Sequence, residues 1–242
     1  HNILANFCNY IICDFQSLFS FSKLTLSMER NVQFGHVNIY HLENKLHDVC
    51  TLLQQHDIHI LGITETRLSG YKHSTESISL PNYTFYRRDA VFPGHTGIGA
   101  YIHTSLANYV KRRHDLEMNS IESIWIEIRP FEATPLLIGF LYRNPASTRE
   151  WFDDYIQMMD KVNSCNLNTV LLGDFNIDLL VSQHHWETIT NMLGLVQLLK
   201  EPTRITQTSA TLLDHIYTNN ENLLLKTFTS NICMSDHKPI IC

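Results

Sequence analysis

From Gln33 onward the chain alternates short apolar runs with amphipathic stretches. Phe34 to Asn38 suits a short strand, and ENKLHDVCTLLQQH then sets Leu46, Val49, Cys50 and Leu53 at helical spacing. IHILGIT (58–64) has the length and apolarity of a buried strand, so this part reads strand, helix, strand. The middle is richer in strands: YTFYRR, TGIGAYIH and SIWIEIR. In the last of these Ile124, Ile126 and Ile128 share one face, and Ser123, Trp125, Glu127 and Arg129 share the other. LLIGFLY (136–142) follows. Ser147 and Glu150 have capping-box spacing ahead of WFDDYIQMMDKV, a helix with Trp151, Tyr155, Met158 and Val162 on one stripe. NTVLLG predicts another buried strand, WETITNMLGLV a helix, and LLDHIYT and KPIIC short strands. Strands mixed with helices predict sheets covered by helices, an α/β or α+β layered domain over residues 31–242, with no linker or repeat dividing it.

Residues 1–30 differ from the rest, being rich in Phe and Ile yet interrupted by Asn6, Asn9, Asp14 and Gln16. Their longest apolar run, Tyr10 to Cys13, is far short of the ~20 residues a membrane span needs. A basic leader is missing, so a secretory signal fits poorly. We read this segment as an appendage of unknown role, and the chain as a fragment of a longer one.

Composition narrows the class further. With 242 residues, 44% apolar and 17% charged, and only 9 Gly and 7 Pro, the chain is neither collagen-like nor a charge-rich disordered segment. Its formal charge of -6 argues weakly against a nucleic-acid partner unless local cations or metal ions offset phosphate repulsion. Six cysteines (Cys8, Cys13, Cys50, Cys165, Cys233, Cys242) show neither CxxC pairing nor zinc spacing, and read as reduced thiols of an intracellular protein.

Chemistry gathers where the apolar strands stop. Ile58 to Thr64 runs into Glu65, Leu136 to Leu141 into Tyr142, and Thr169 to Gly173 into Asp174, with Asn176 two residues on. Strand ends and the loops beyond them are where sheets place ligands. Asp214 sits inside an apolar stretch, where a carboxylate is costly unless paired, and His237 is its expected partner. An Asp behind an imidazole favours the protonated ring, a cation able to face phosphate.

Asn38 in HVNIYHL, Glu65 in GITETRL, Tyr142 in LYRNP, Asp174 and Asn176 in LLGDFNIDL, Asp214 in TLLDHIYTN, and Asp236 with His237 in MSDHKPI form an ordered set. The set resembles the endonuclease/exonuclease/phosphatase superfamily, and most of all the apurinic-type endonuclease domain of non-LTR retrotransposon polyproteins. The resemblance covers about residues 33 to 242. It implies a DNase I-like four-layer α/β sandwich, two packed mixed β-sheets flanked by helices, with a metal-assisted phosphodiesterase site at one end. Glu65 would bind Mg²⁺, with Mn²⁺ as a possible substitute, aided by Asn38 and Asp236. Asp174 would orient and deprotonate the attacking water, and Asn176 would position water or phosphate. His237, backed by Asp214, would stabilise phosphate charge, and Tyr142 would contact the same group. Arg143, next to Tyr142 at the expected rim, would touch DNA backbone.

The expected substrate is therefore DNA, nicked to leave a 3′-hydroxyl. No membrane and no small organic cofactor are involved, and a reverse transcriptase region lies in cis where the natural chain continues. Such an enzyme would be intracellular, and nuclear when active. Two alternatives stay open: the same chemistry on inositol or lipid phosphates or RNA, and a catalytically decayed relic. Gly94, Gly97 and Gly99 in PGHTGIGAYI precede a strand, so they read as a tight turn rather than a dinucleotide fingerprint. His184-His185 and the HDIH at 56–59 read as surface histidines. KRRH (111–114) reads as a solvated basic face, with phosphate steering as the alternative.

Overall fold

A computed structural model describes residues 32–90, 95–129, 134–224 and 226–242. The appendage over 1–30, Gly94 and two cysteines, Cys8 and Cys13, lie outside these residues. In chain order the elements are β1 (Phe34–Asn38), α1 (Leu46–Gln55), β2 (Ile60–Thr64), β3 (Tyr83–Arg88), β4 (Ile98–His103), β5 (Val110–Arg112), β6 (Glu122–Ile128), β7 (Leu136–Tyr142) and α2 (Glu150–Asn163). They continue with β8 (Asn168–Asp174), α3 (His184–Met192), β9 (Val196–Gln197), β10 (Arg204–Ile205), β11 (Ala210–Thr211), β12 (Asp214–Thr218), β13 (Phe228–Thr229) and β14 (Ile240–Ile241).

Two six-stranded sheets carry the fold. The first runs β13-β14-β1-β2-β4-β3 and the second β5-β6-β7-β8-β12-β9. Each is mixed, with one parallel pair, β1 with β2 and β7 with β8, among antiparallel neighbours. Their inner faces meet. Phe34, Ile60, Ile98, Ile102 and Ile240 from the first sheet pack on Ile124, Ile126, Ile138, Phe140, Leu172 and Ile216 from the second. Gly62 permits the closest approach, because a Cβ there would lie 2.0 Å from Cδ1 of Phe140.

The outer faces are covered by helices. Val49, Leu52 and Leu53 of α1 pack on Val37, Leu61, Ile63 and Ile241. Trp151, Tyr155, Met158 and Val162 of α2, with Trp186 and Ile189 of α3, pack on Trp125, Leu137, Leu171 and Tyr217. The result is the DNase I-like four-layer sandwich that the sequence predicts. Among the described residues no helix is long and apolar enough to cross a membrane.

Local readings differ in three places. The capping box does not form: Arg149 is the N-cap of α2 without a side-chain cap, and Thr148, not Ser147, donates its hydroxyl to Glu150. The turn at Asn144, which receives the amides of Ala146 and Ser147, uses Ser147 before the helix begins. The predicted helix over 186–196 stops at Met192. There Gly194 and Leu195 turn back to the carbonyls of Asn191 and Thr190, and Val196 joins the second sheet beside β12. His56 and His59 are half-buried rather than surface groups: His56 Nε2 lies 2.9 Å from Ser230 Oγ, and His59 Nδ1 accepts from the Gln33 amide.

Candidate active site

Register alone brings the candidate groups together. In the first sheet Asn38 pairs with Thr64, the last residues of their strands, and Glu65 follows Thr64. In the second, Glu122 pairs with Tyr142, Tyr142 with Asp174 and Asp174 with Asp214, one row across four strands at one end. Because the sheets face each other, these two rows form the floor of one cleft.

Asn38 joins the rows. Its Nδ2 donates to Glu65 Oε1 at 2.9 Å and to Asp174 Oδ2 at 2.8 Å, so one amide draws a carboxylate from each sheet toward the same point. Tyr142 donates its hydroxyl to Glu65 Oε1 at 3.1 Å. Glu65 sits at φ 52, and its loop is tied to the next turn by the amides of Thr66 and Arg67, bonded to the carbonyls of Gly97 and Thr96. That turn needs a glycine, since Gly97 has φ +88 and a Cβ would lie 2.5 Å from Thr66 Oγ1. Buried Glu122 accepts the Thr96 amide and so holds the whole assembly from beneath. Burial pushes its carboxyl up to about 7.

The second half of the cleft is built around His237. Its Nδ1 lies 2.8 Å from Asp214 Oδ2 and 3.9 Å from Asp174 Oδ2. Ser235 fixes the loop, donating to the Asn38 carbonyl at 2.6 Å and accepting the His237 amide at 3.1 Å. Thr203 anchors Asp214 through its hydroxyl oxygen, which accepts the Leu213 and Asp214 amides. Burial works against charge on His237, but Asp214, by charge and hydrogen bond, and then Asp174 and Asp236, outweigh it and raise the imidazole to about 9. With Nδ1 engaged, Nε2 is the remaining donor of a ring that lines the cleft.

For Asp214, burial opposes the charge, yet His237 holds the carboxyl below its ordinary value. Asp174 is pushed up to about 7 by burial and by the nearby charge of Asp214. Burial, with Glu65 and Asp174 next, raises the Tyr142 phenol, which stays protonated.

The cleft measures about 520 Å³ and is lined by Asn38, Glu65, Tyr142, Asn176, Asp236 and His237, joined by Tyr40, Pro145 and Arg204. Asn176, at φ 49, donates its amide to Asp174 Oδ1 and its side-chain nitrogen to the Arg143 carbonyl. Asp236 faces the cleft, and its Oδ2 accepts a hydrogen bond from Arg204 Nε at 2.7 Å.

Arg143 is a correction. Its side chain is 8% exposed, packs over Trp151 and Phe152, and points toward the carbonyls of Phe175, Asn176 and Ser147. It braces the loops behind the cleft instead of reaching DNA. The KRRH face is also largely neutralised, since Arg112 pairs with Glu117, and Arg113 with Asp115 and Glu127. Sequence reasoning did not single out Tyr40, 58% exposed beneath the Arg67 guanidinium, or the role of Arg204 beside Asp236. Tyr40 could have been found from its place two positions after Asn38, whereas Arg204 reaches the site only in space, through a bridge to His237.

The sequence model of the Endonuclease/Exonuclease/phosphatase family matches residues 31–237. The chain belongs to this family. It is a family of hydrolytic phosphodiesterases and phosphatases. Among the solved structures that share its fold are three nucleic-acid enzymes. The endonuclease domain of TRAS1, a telomere-specific non-LTR retrotransposon, superimposes with a TM-score of 0.69 at 14% identity, over 87% of this chain and 97% of that one. The AP endonuclease LMAP from Leishmania major gives 0.72 at 10%, covering 87% and 86%. The 3′ phosphatase NExo from Neisseria, bound to product DNA hairpin, gives 0.67 at 14%, covering 87% and 98%. No curated protein sequence matches the chain.

The donor set fits the divalent metal typical of the family. Glu65 and Asp236 face the cleft with Asp174 and Asp214 behind them, so an incoming phosphate anion meets carboxylates whose repulsion a divalent cation would offset. Glu65, Asp236 and the Asn38 carbonyl oxygen, which here accepts the Tyr40 amide, are the oxygen donors that suit a hard cation. Ligand atoms of Asp174, Asp214 and His237 also lie within 4.8 Å of one another, but there the imidazole nitrogen is already bonded to Asp214.

Proposed function

We propose that this chain is a divalent-metal-dependent DNA endonuclease domain of a non-LTR retroelement, nicking target DNA to leave a 3′-hydroxyl. The observation that carries the reading is the Asn38 amide holding Glu65 and Asp174 together, with the Asp214–His237 pair 3.9 Å from Asp174. Glu65, Asn38 and Asp236 would hold Mg²⁺ or Mn²⁺, Asp236 sharing its carboxylate with Arg204. Bound there, the metal supplies positive charge against the phosphodiester oxygens.

The side chains divide the remaining work. Asp174, with a carboxyl near neutrality, takes a proton from water, whose oxygen attacks phosphorus in line with the O3′–P bond. That bond breaks, the 3′ oxygen leaves and takes a proton from solvent, and Asp174 returns its proton to solvent. The His237 imidazolium, held by Asp214, faces the charge growing on the phosphoryl oxygens, assisted by Tyr142 and Asn176. On this reading the enzyme works on chromosomal DNA in the nucleus, with a reverse transcriptase encoded in cis using the 3′ end.

Nicking of supercoiled plasmid in Mg²⁺ tests the proposal, with Glu65→Ala and His237→Ala alongside. We expect conversion to open circles by the wild type and a loss of at least about 10²-fold in each variant. Phosphate release from phosphoinositides without nicking would replace DNA as the substrate. Equal nicking by all three proteins would point to a contaminant, and an inert wild type to a decayed copy.

A further inference from the structure

Only one oxygen of Asp214 is used by His237. The other, Oδ1, is buried and completes no hydrogen bond by distance and angle, the Thr203 hydroxyl being the other donor beside this carboxylate, and Nδ1 of His36 is likewise without a partner. These two atoms face each other at 3.6 Å. His36 is fully buried on β1, and its Nε2 lies 3.1 Å from the hydroxyl of Thr64 on β2. A ring nitrogen and a carboxylate oxygen, each sealed from water and each costly when unpaired, thus stand less than about 1 Å beyond hydrogen-bond distance. Bonds between catalytic groups are often long before substrate is in place.

We propose that His36 is a positioning residue for phosphodiester cleavage, acting through Asp214. The Thr64 hydroxyl donates to Nε2, which leaves the single ring proton of the neutral imidazole on Nδ1, aimed at Asp214 Oδ1. The carboxylate is then gripped on both sides, by His36 from the first sheet and by His237 from the cleft. Its plane is fixed, and with it the direction in which His237 presents Nε2. Thr64, His36, Asp214 and His237 make one polar chain that crosses between the sheets. The inference rests on the phosphodiesterase reading of the site, but its first test does not require activity.

With ¹⁵N-labelled histidine, two-bond ¹H–¹⁵N spectra near about pH 7.5 distinguish the two neutral tautomers. We expect His36 as the Nδ1–H form in the wild type, and a shift toward Nε2–H in Thr64→Val. An Nε2–H wild type overturns the proposal. Next, His36→Leu should lower the kcat of plasmid nicking by about tenfold with KM changed less than about twofold, and His36→Asn, which keeps a donor near the Nδ1 position, should recover most of the loss. Full kcat in His36→Leu, or equal losses in both variants, would make His36 a core plug and overturn the proposal. If His36→Leu fails to fold, the wild-type tautomer decides. A wild type that does not nick removes the nuclease reading and leaves the tautomer to settle this one.

Discussion

At the scale of single residues, the site is a set of shared bonds. Asn38 serves two carboxylates through one nitrogen, and its loss leaves buried Asp174 without that donor. Asn38→Ala should therefore cost about 1–3 kcal/mol in urea-unfolding stability as well as activity. A smaller change would mean that Asp174 finds another partner. His237 offers a sharper readout. Its imidazole is raised from 6.5 to about 9, so its pairing adds stability that is complete below pH 6.5 and lost as pH rises through about 9. Nicking should decline over the same alkaline limb. In Asp214→Asn the histidine titration followed by NMR should fall by at least about one unit, and an unmoved midpoint would show that Asp214 is not the group sustaining the charge.

Asn38 and Asp236 were legible only through the ordered motifs of the family, whereas Asp214 was legible in the sequence as a carboxylate among apolar neighbours, and Glu65, Tyr142 and Asp174 because each sits where an apolar run stops. Arg143 was misread for the same reason. Adjacency to Tyr142 suggested the rim, whereas the next side chain along a strand points the other way, here onto Trp151.

At the scale of elements, the long buried strands and the three helices follow from apolar periodicity, and the structure has them. The strands β9 to β11, β13 and β14 have two residues each, and apart from β14, which the apolar KPIIC offers, they are too short to carry a period. They exist because a neighbour's backbone offers hydrogen bonds, as when Val196 and Gln197 pair with β12. The Gly62 contact is another feature invisible in one dimension. Gly62→Ala would force its methyl into the Phe140 ring and should destabilise by about 1–3 kcal/mol, with Phe140→Leu restoring part of the loss in the double variant. Additive losses in denaturant midpoints would count against a direct clash.

For the molecule as a whole, acid should loosen the fold through histidines held neutral. His215 is fully buried, stacks on Phe175, and sits with Nε2 3.0 Å from the Ile177 carbonyl. Burial lowers it from 6.5 to about 4, with those carbonyls opposing. Between these values the unfolded chain binds a proton that the native state does not, so this group costs stability as pH falls. At pH 5 the cost is about 2 kcal/mol. His215→Gln should therefore compare more favourably with the wild type at about pH 5 than at about pH 7.5 in urea midpoints, and a constant gap would refute the assignment.

The strand β14 lies between β1 and β13, and Phe34 exchanges both backbone hydrogen bonds with Cys242. During synthesis, then, β1 leaves the ribosome well before β14, and one of its edges has no partner until residues 240–242 emerge. A nascent chain released at Lys238 would carry every group of the cleft and still present an open flank to proteases and to other copies. Limited trypsin digestion of such a truncation should cut within the first sheet at rates well above those of the 242-residue chain.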